Sequence, residues 1–168
     1  AMEKECKNVK ENVGILDMTA FAKCRIKGPK SIEFLDNLVA NKLPQLNGRI
    51  NLCHALNTKG GVHSEFTIMR ESEDSFYLVS AGAFQRLDHD WIRKWMPEDG
   101  SVQFENLTNS VGVLVITGPK SRDLIKRVSN DDFSNDNFKW LSSKMVDIGY
   151  APVNAMRVNF VGELGWEL

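Results

Sequence analysis

The chain has 168 residues, with 21 Lys+Arg against 22 Asp+Glu and a formal net charge of −1. That length suits one ordinary domain or two small subdomains, and 42% hydrophobic with 26% charged residues is the balance of a water-soluble globular chain. The absent basic excess argues against a nucleic-acid binder held by phosphate contacts, and no apolar run approaches the roughly 20 residues that cross a bilayer.

Taken in chain order, the charged stretch Glu3 to Val13 reads as a short surface helix. Phe21 to Lys27 reads as a strand. Gly28-Pro29-Lys30-Ser31 then opens a helix, because proline is favoured in a first turn, with Ile32, Leu35, Leu38 and Val39 as its apolar stripe and Phe34 beside it. Asn47-Gly48 signals a turn. Ile50 to Leu56 and Val62 to Met69 read as strands joined through Asn57 to Gly61, and Phe76 to Ser80 as a third. Phe84, Leu87, Trp91 and Trp95 recur at helical spacing, with Asp90 and Lys94 on the outer face, until Pro97 to Gly100 ends that helix. Val102 to Phe104 and Val111 to Thr117 are expected strands, and Gly118-Pro119-Lys120-Ser121 opens another helix carrying Leu124, Ile125 and Val128. A polar loop, Asn130 to Asn137, leads to an expected helical turn or two over Phe138 to Lys144. Val153 to Phe160 and Trp166 to Leu168 read as a closing pair of strands.

The two strand, Gly-Pro-Lys-Ser, helix segments lie 90 residues apart and keep apolar residues in register, Phe34 and Leu35 against Leu124 and Ile125. A duplicated supersecondary unit follows, and with it an α+β fold of mixed or antiparallel sheets covered by helices. Neither copy is a phosphate loop, since the Walker glycine spacing is missing, and G-x-G-x-x-G and G-x-S-x-G do not occur. Three cysteines without C-x-x-C spacing and three histidines without H-x-x-x-H spacing argue against a disulfide scaffold and a dedicated metal site, and favour a reducing compartment.

Two segments carry chemistry. In Val62 to Ile68, strand alternation puts His63, Glu65 and Thr67 on one face and Val62, Ser64, Phe66 and Ile68 on the other. This is either a solvated polar face or a pocket wall where a partly buried Glu65 exchanges a proton near neutrality. In Phe160 to Leu168, an extended segment would place Glu163 and Glu167 on one face, and the glycines Gly162 and Gly165 suggest a closely approached backbone. The start, Ala1-Met2-Glu3-Lys4, has no signal-peptide apolar region, and the apolar stop at Glu167-Leu168 suggests a piece of a longer protein.

These residues also carry a resemblance. Gly14 to Thr19, Thr58-Lys59-Gly60-Gly61, both Gly-Pro-Lys-Ser elements and Phe160 to Leu168 resemble the folate-binding aminomethyltransferase family. That family includes the glycine-cleavage T-protein and the C-terminal halves of dimethylglycine and sarcosine dehydrogenases. The similarity runs over nearly the whole chain, and Val9 to Asp17, Ile26 to Ile32 and Ala155 to Leu168 are most similar to the dimethylglycine dehydrogenase branch. The resemblance implies one partial folate-binding domain over residues 1–168. It implies tetrahydrofolate and an N-methylated amine as small-molecule partners, and no nucleic acid or membrane. It also implies an FAD-dependent half and a later folate subdomain elsewhere in the same protein, in the cytoplasm or, in a eukaryote, the mitochondrial matrix. The isolated piece is not expected to catalyse alone. Alternatives are a glycine-cleavage aminomethyltransferase and a non-catalytic module of the same fold.

Residue by residue, Glu65 matches the family's catalytic aspartate, one methylene longer, and Thr67 the hydroxyl two residues on. Val79 matches a pocket-lining position, and Ala81 replaces an asparagine that contacts folate. Phe160 replaces a tyrosine. Glu167 matches the acid that grips the pterin, whose edge offers two adjacent N–H donors to an ionised carboxylate, with Glu163 the second choice for that role.

Overall fold

Both Gly-Pro-Lys-Ser segments build the same clamp. In the computed structural model, which describes residues 1–168, the chain divides into two compact units, one of residues 19–112 and one of residues 1–18 with 113–168. In the first unit β2 (Ala22–Lys27) runs into α2 (Ser31–Leu38), followed by β3 (Ile50–Leu56), β4 (Val62–Ser72), β5 (Ser75–Ser80), a 3-10 turn at Gly82–Phe84, α3 (Gln85–Trp95) and β6 (Gln103–Asn106). In the second, α1 (Met2–Glu11) and β1 (Gly14–Asp17) join β7 (Leu114–Thr117), α4 (Ser121–Ile125), β8 (Ser143–Ile148), β9 (Ala151–Met156) and β10 (Gly165–Glu167). All strand pairs are antiparallel, so the expected α+β architecture is realised in its antiparallel form.

The duplication extends through each sheet. The strand orders are β6-β2-β5-β4-β3 and β1-β7-β10-β9-β8, so each position has a counterpart. Gly28 and Gly118 both have φ +123°. Gly28 N–H donates to the Asp74 carbonyl, which also accepts from Ser31 Oγ at 2.9 Å; Gly118 N–H donates to the Leu164 carbonyl, which also accepts from Ser121 Oγ at 3.1 Å. Each lysine N–H reaches a carbonyl just ahead of the opposite neighbouring strand, Ser101 for Lys30 and Asn12 for Lys120. The clamp thus ties the helix start to the beginnings of both strands flanking β2 or β7. The order along the chain differs, because β1, with α1 ahead of it, precedes everything else yet takes the place in its sheet that β6 has in the other.

In residues 19–112, α2 and α3 cover one face of the sheet, burying Phe34, Leu35, Leu38 and Ile92 against Ile26, Phe66, Ile68, Phe76 and Leu78. Ile32 lies outside this stripe and is exposed. The apolar stripe expected for α3 is also turned. Asp88, His89 and Ile92 are its buried residues, Trp91 is half-buried, and Phe84, Leu87 and Trp95 are exposed. The contact side lies about one position around the helix from the sequence stripe, with His89 edge-on to Phe104 at 4.9 Å and Arg93 over that ring at 4.5 Å.

In the other unit, Trp166 is the centre of the core. Phe133 and Phe138 both pack edge-on to it, with Ile116, Ile125 and Ala155 around them, and Arg122 and Arg157 stack their guanidinium groups over its ring at 5.6 and 5.8 Å. The expected helical turn at Phe138 to Lys144 is instead a turn that delivers β8, and β8 returns through Gly149-Tyr150 into β9. Phe138 is drawn into the core rather than onto a helix face. The expected strand to Phe160 ends at Met156, and residues 157–164 form an irregular segment.

The clamp glycines give a direct test. A Cβ at Gly28 would lie 2.4 Å from the Ser101 carbonyl oxygen, and at Gly118 2.6 Å from those of Val9 and Asn12, at a φ that L side chains rarely adopt. Gly28→Ala and Gly118→Ala are each expected to lower the unfolding free energy by about 2 kcal/mol or more. Gly60→Ala, at a positive φ but with open space around it, is expected to cost less. Urea titration of the three variants ranks them.

Candidate functional site

The candidate residues lie on the sheet faces that the two cores leave over. In β4 the burial alternates, with Ser64, Phe66 and Ile68 buried and Glu65 exposed. Glu65 and Thr67 share the face opposite Phe66, and Val79 of β5 stands directly across from Thr67, with Leu52 of β3 on its other side. The structure therefore brings Glu65, Thr67 and Val79 onto one wall. His63 does not join them. A register shift between Ala55 and Leu56 leaves it without a cross-strand partner, and its ring stacks on Trp91 of α3 at 4.0 Å.

Glu65 is more open than the sequence suggests, with a side chain 57% exposed rather than partly buried. Its Oε2 lies 2.9 Å from His54 Nε2, across the β3–β4 pair. His54 carries no motif and was invisible in sequence. Only the strand register, which sets His54 opposite Glu65, reveals it. Further along the same face, Arg25 bridges Glu71 and Glu105 at 2.6 and 3.1 Å. Although burial opposes it, the Arg25 and Ser75 hydrogen bonds hold Glu71 below the usual carboxylate range. That network is internally satisfied and leaves no open group.

Glu167 occupies the corresponding face of the other sheet. In β10 Gly165, Trp166 and Glu167 are all buried, and alternation sends Trp166 into the core and Glu167 to the opposite side. Val115 of β7 and Met156 of β9 flank it in register, both buried. The residue is 9% exposed, and its carboxylate has no hydrogen-bond or ion-pair partner in the chain. Burial alone pushes it up to about 7.

Glu163 and Phe160 lie elsewhere. Both sit in the irregular segment 157–164, so the extended geometry that would align Glu163 with Glu167 does not exist. Glu163 is half-buried and Phe160 largely exposed. The two glycines also part ways. A Cβ at Gly165 would meet the Ile116 carbonyl oxygen at 2.4 Å, so β7 itself is what approaches there, whereas Gly162 has open space around it and serves a turn at φ +78°. No group of three or more His, Cys, Asp or Glu side chains has metal-site geometry, and no helix is long and apolar enough to cross a membrane.

The buried acid makes stability pH-dependent. A carboxyl raised to about 7 when folded holds its proton between pH 5 and 7 while the unfolded chain has lost it, so this group's contribution falls as pH rises through that window. His89, held below its ordinary value mainly by burial, acts in the opposite sense. The difference between wild type and Glu167→Gln isolates the acid. From pH 5 to pH 8 it is expected to move against wild type by roughly 3 kcal/mol in urea titrations. A difference constant with pH is the contrary result.

The profile of the GCVT N-terminal domain matches residues 1–168. Mitochondrial dimethylglycine dehydrogenase of Homo sapiens is 37% identical over 165 residues, 98% of this chain and 19% of that protein. The mitochondrial pyruvate dehydrogenase phosphatase regulatory subunit of Mus musculus is 31% identical over 170 residues, 99% of this chain and 19% of that protein. The chain thus spans about a fifth of the length of these curated relatives. Among solved structures, the glycine cleavage system aminomethyltransferase T of Bartonella henselae superposes with a TM-score of 0.81 at 20% identity, over 98% of this chain and 43% of that one. With a profile match from end to end, the chain belongs to the GCVT N-terminal domain family and has its T-protein-like fold.

Proposed function

We propose that this chain is the tetrahydrofolate-binding part of an FAD-dependent dimethylglycine (or sarcosine) dehydrogenase-like enzyme. It captures the one-carbon unit from N-demethylation as 5,10-methylenetetrahydrofolate. The observation that carries this reading is Glu167, a buried carboxylate with no partner of its own on a face its core does not use. The 37% identity to a dimethylglycine dehydrogenase supports the choice of branch.

The donor set fits the ligand. An ionised carboxylate among apolar neighbours accepts two parallel N–H bonds, and a pterin edge offers them. Within residues 19–112, Thr67 offers a hydroxyl and Val79 an apolar surface on the wall that carries Glu65. Tetrahydrofolate supplies the amine nitrogen that takes up the one-carbon unit. Glu65 orients that amine and accepts its proton. The surrounding residues keep water from the iminium, which otherwise hydrolyses to formaldehyde. Phe160 offers an aromatic face without a hydrogen-bond donor, and Glu163 is the reserve acid for the pterin.

A non-catalytic module of this fold is the second reading. It is favoured by the 31% identity to a protein named as a regulatory subunit and by the exposure of Glu65. Folate-dependent trapping by the whole protein separates the two.

In the whole protein that carries this segment, Glu167→Ala is expected to weaken tetrahydrofolate binding at least tenfold by calorimetry. Because only the ionised acid accepts both donors, wild-type affinity is expected to rise about tenfold from pH 6 to pH 8. Unchanged affinity in Glu167→Ala rejects the pterin assignment. Glu65→Gln is expected to release the one-carbon unit mainly as formaldehyde, and wild-type yields of methylenetetrahydrofolate count against its role.

A further inference from the structure

The pairing of His54 with Glu65 goes beyond the roles assigned so far. The two residues are directly opposite in the β3–β4 register, with Nε2 and Oε2 2.9 Å apart. A carboxylate oxygen only accepts, so Nε2 carries the proton. His54 is itself anchored. Its amide donates to Asn41 Oδ1 at 2.7 Å, its carbonyl accepts from Ala40 N–H at 2.9 Å, and Val39 bridges the next residue, Ala55. The edge strand at this point is therefore fixed on both sides, by β4 within the sheet and by residues 39–41 outside it.

Glu65 Oε1, by contrast, has no partner in the chain. One oxygen is tied and the other is open, on the face that carries Thr67. This matters because glutamate has one more rotatable bond than the aspartate it matches, and an exposed glutamate samples many rotamers. A hydrogen bond from an imidazole carried on a fixed stretch of backbone restricts that freedom without occupying the oxygen that would act.

We propose that His54 is a positioning residue for Glu65, holding Oε2 so that Oε1 faces the folate amine. This rests on the reading of Glu65 given under Proposed function. In the step it serves, the amine lone pair forms the new C–N bond to the iminium carbon. The C=N π pair passes to the iminium nitrogen, and the amine proton passes to Oε1. His54 touches neither reacting atom.

The test uses the whole protein that carries this segment, with dimethylglycine or sarcosine and tetrahydrofolate. The readout is the fraction of released one-carbon units recovered as methylenetetrahydrofolate rather than formaldehyde, together with the tetrahydrofolate Kd. His54→Phe keeps a planar ring and removes the donor. His54→Gln places an amide N–H close to where Nε2 stood. The expected result is a five- to tenfold fall in the trapped-to-free ratio for His54→Phe with Kd within twofold of wild type, and recovery to within threefold for His54→Gln. Equal defects in both variants, or a loss confined to Kd, overturn the proposal, as does wild-type trapping in His54→Phe. A thermal melt guards against misfolding, and if His54→Phe does not fold, wild-type trapping by His54→Ala overturns the proposal in the same way. A wild type that traps nothing, or Glu65→Gln that traps normally, sinks the underlying reading instead, whatever the His54 variants do.

Discussion

The carbonyl of Leu164 accepts two hydrogen bonds, from Gly118 N–H and Ser121 Oγ, and the placement of Glu167 depends on it. That carbonyl immediately precedes β10, so the clamp sets the register of a strand only three residues long. A slip of one residue would exchange the faces of Trp166 and Glu167, putting a carboxylate among Phe133 and Phe138 and an indole on the open side. So short a strand has little pairing of its own to resist this. The buried Ser121 hydroxyl and the positive-φ Gly118 define the register from outside the sheet.

The same arrangement at Asp74 defines β5, and hence Val79 opposite Thr67. Each unit uses one sheet face for its hydrophobic core and carries polar groups on the other. Core packing and site chemistry are thereby separated by the pleat, with alternate residues serving each. The cost falls on Glu167, whose burial between Val115 and Met156 disfavours its charge. A ligand with paired N–H donors would relieve it.

Much of this was legible in the sequence. The Gly-Pro-Lys-Ser repeat announced the duplicated clamp, and alternation around Phe66 assigned the face of Glu65, whereas the expected alignment of Glu163 with Glu167 failed because residues 157–164 are irregular. What escaped was non-local. Ser143 to Ile148 has no polar and apolar alternation to mark a strand, and its strand character comes from pairing with β9. Phe133 read as a loop residue and Phe138 as the start of a helical turn, because the indole they pack on lies roughly 30 positions further along. The α3 stripe misled because helical spacing identifies an apolar side without saying which side the sheet will take. His54 was silent for the same reason as β8: a cross-strand neighbour belongs to the register, which no short window of sequence contains.

The displaced position of α1 and β1 has a consequence for biosynthesis. β1 pairs with β7 from Gly14↔Thr117 to Asp17↔Leu114, and β7 pairs in turn with β10. Residues 19–112 hold every strand of their own sheet and can consolidate as soon as they have been synthesised. Gly14–Asp17 must wait for their partner strand until Leu114–Thr117 have been synthesised. Within its own sheet, the strand that comes first in the chain is thus among the last to find its partner.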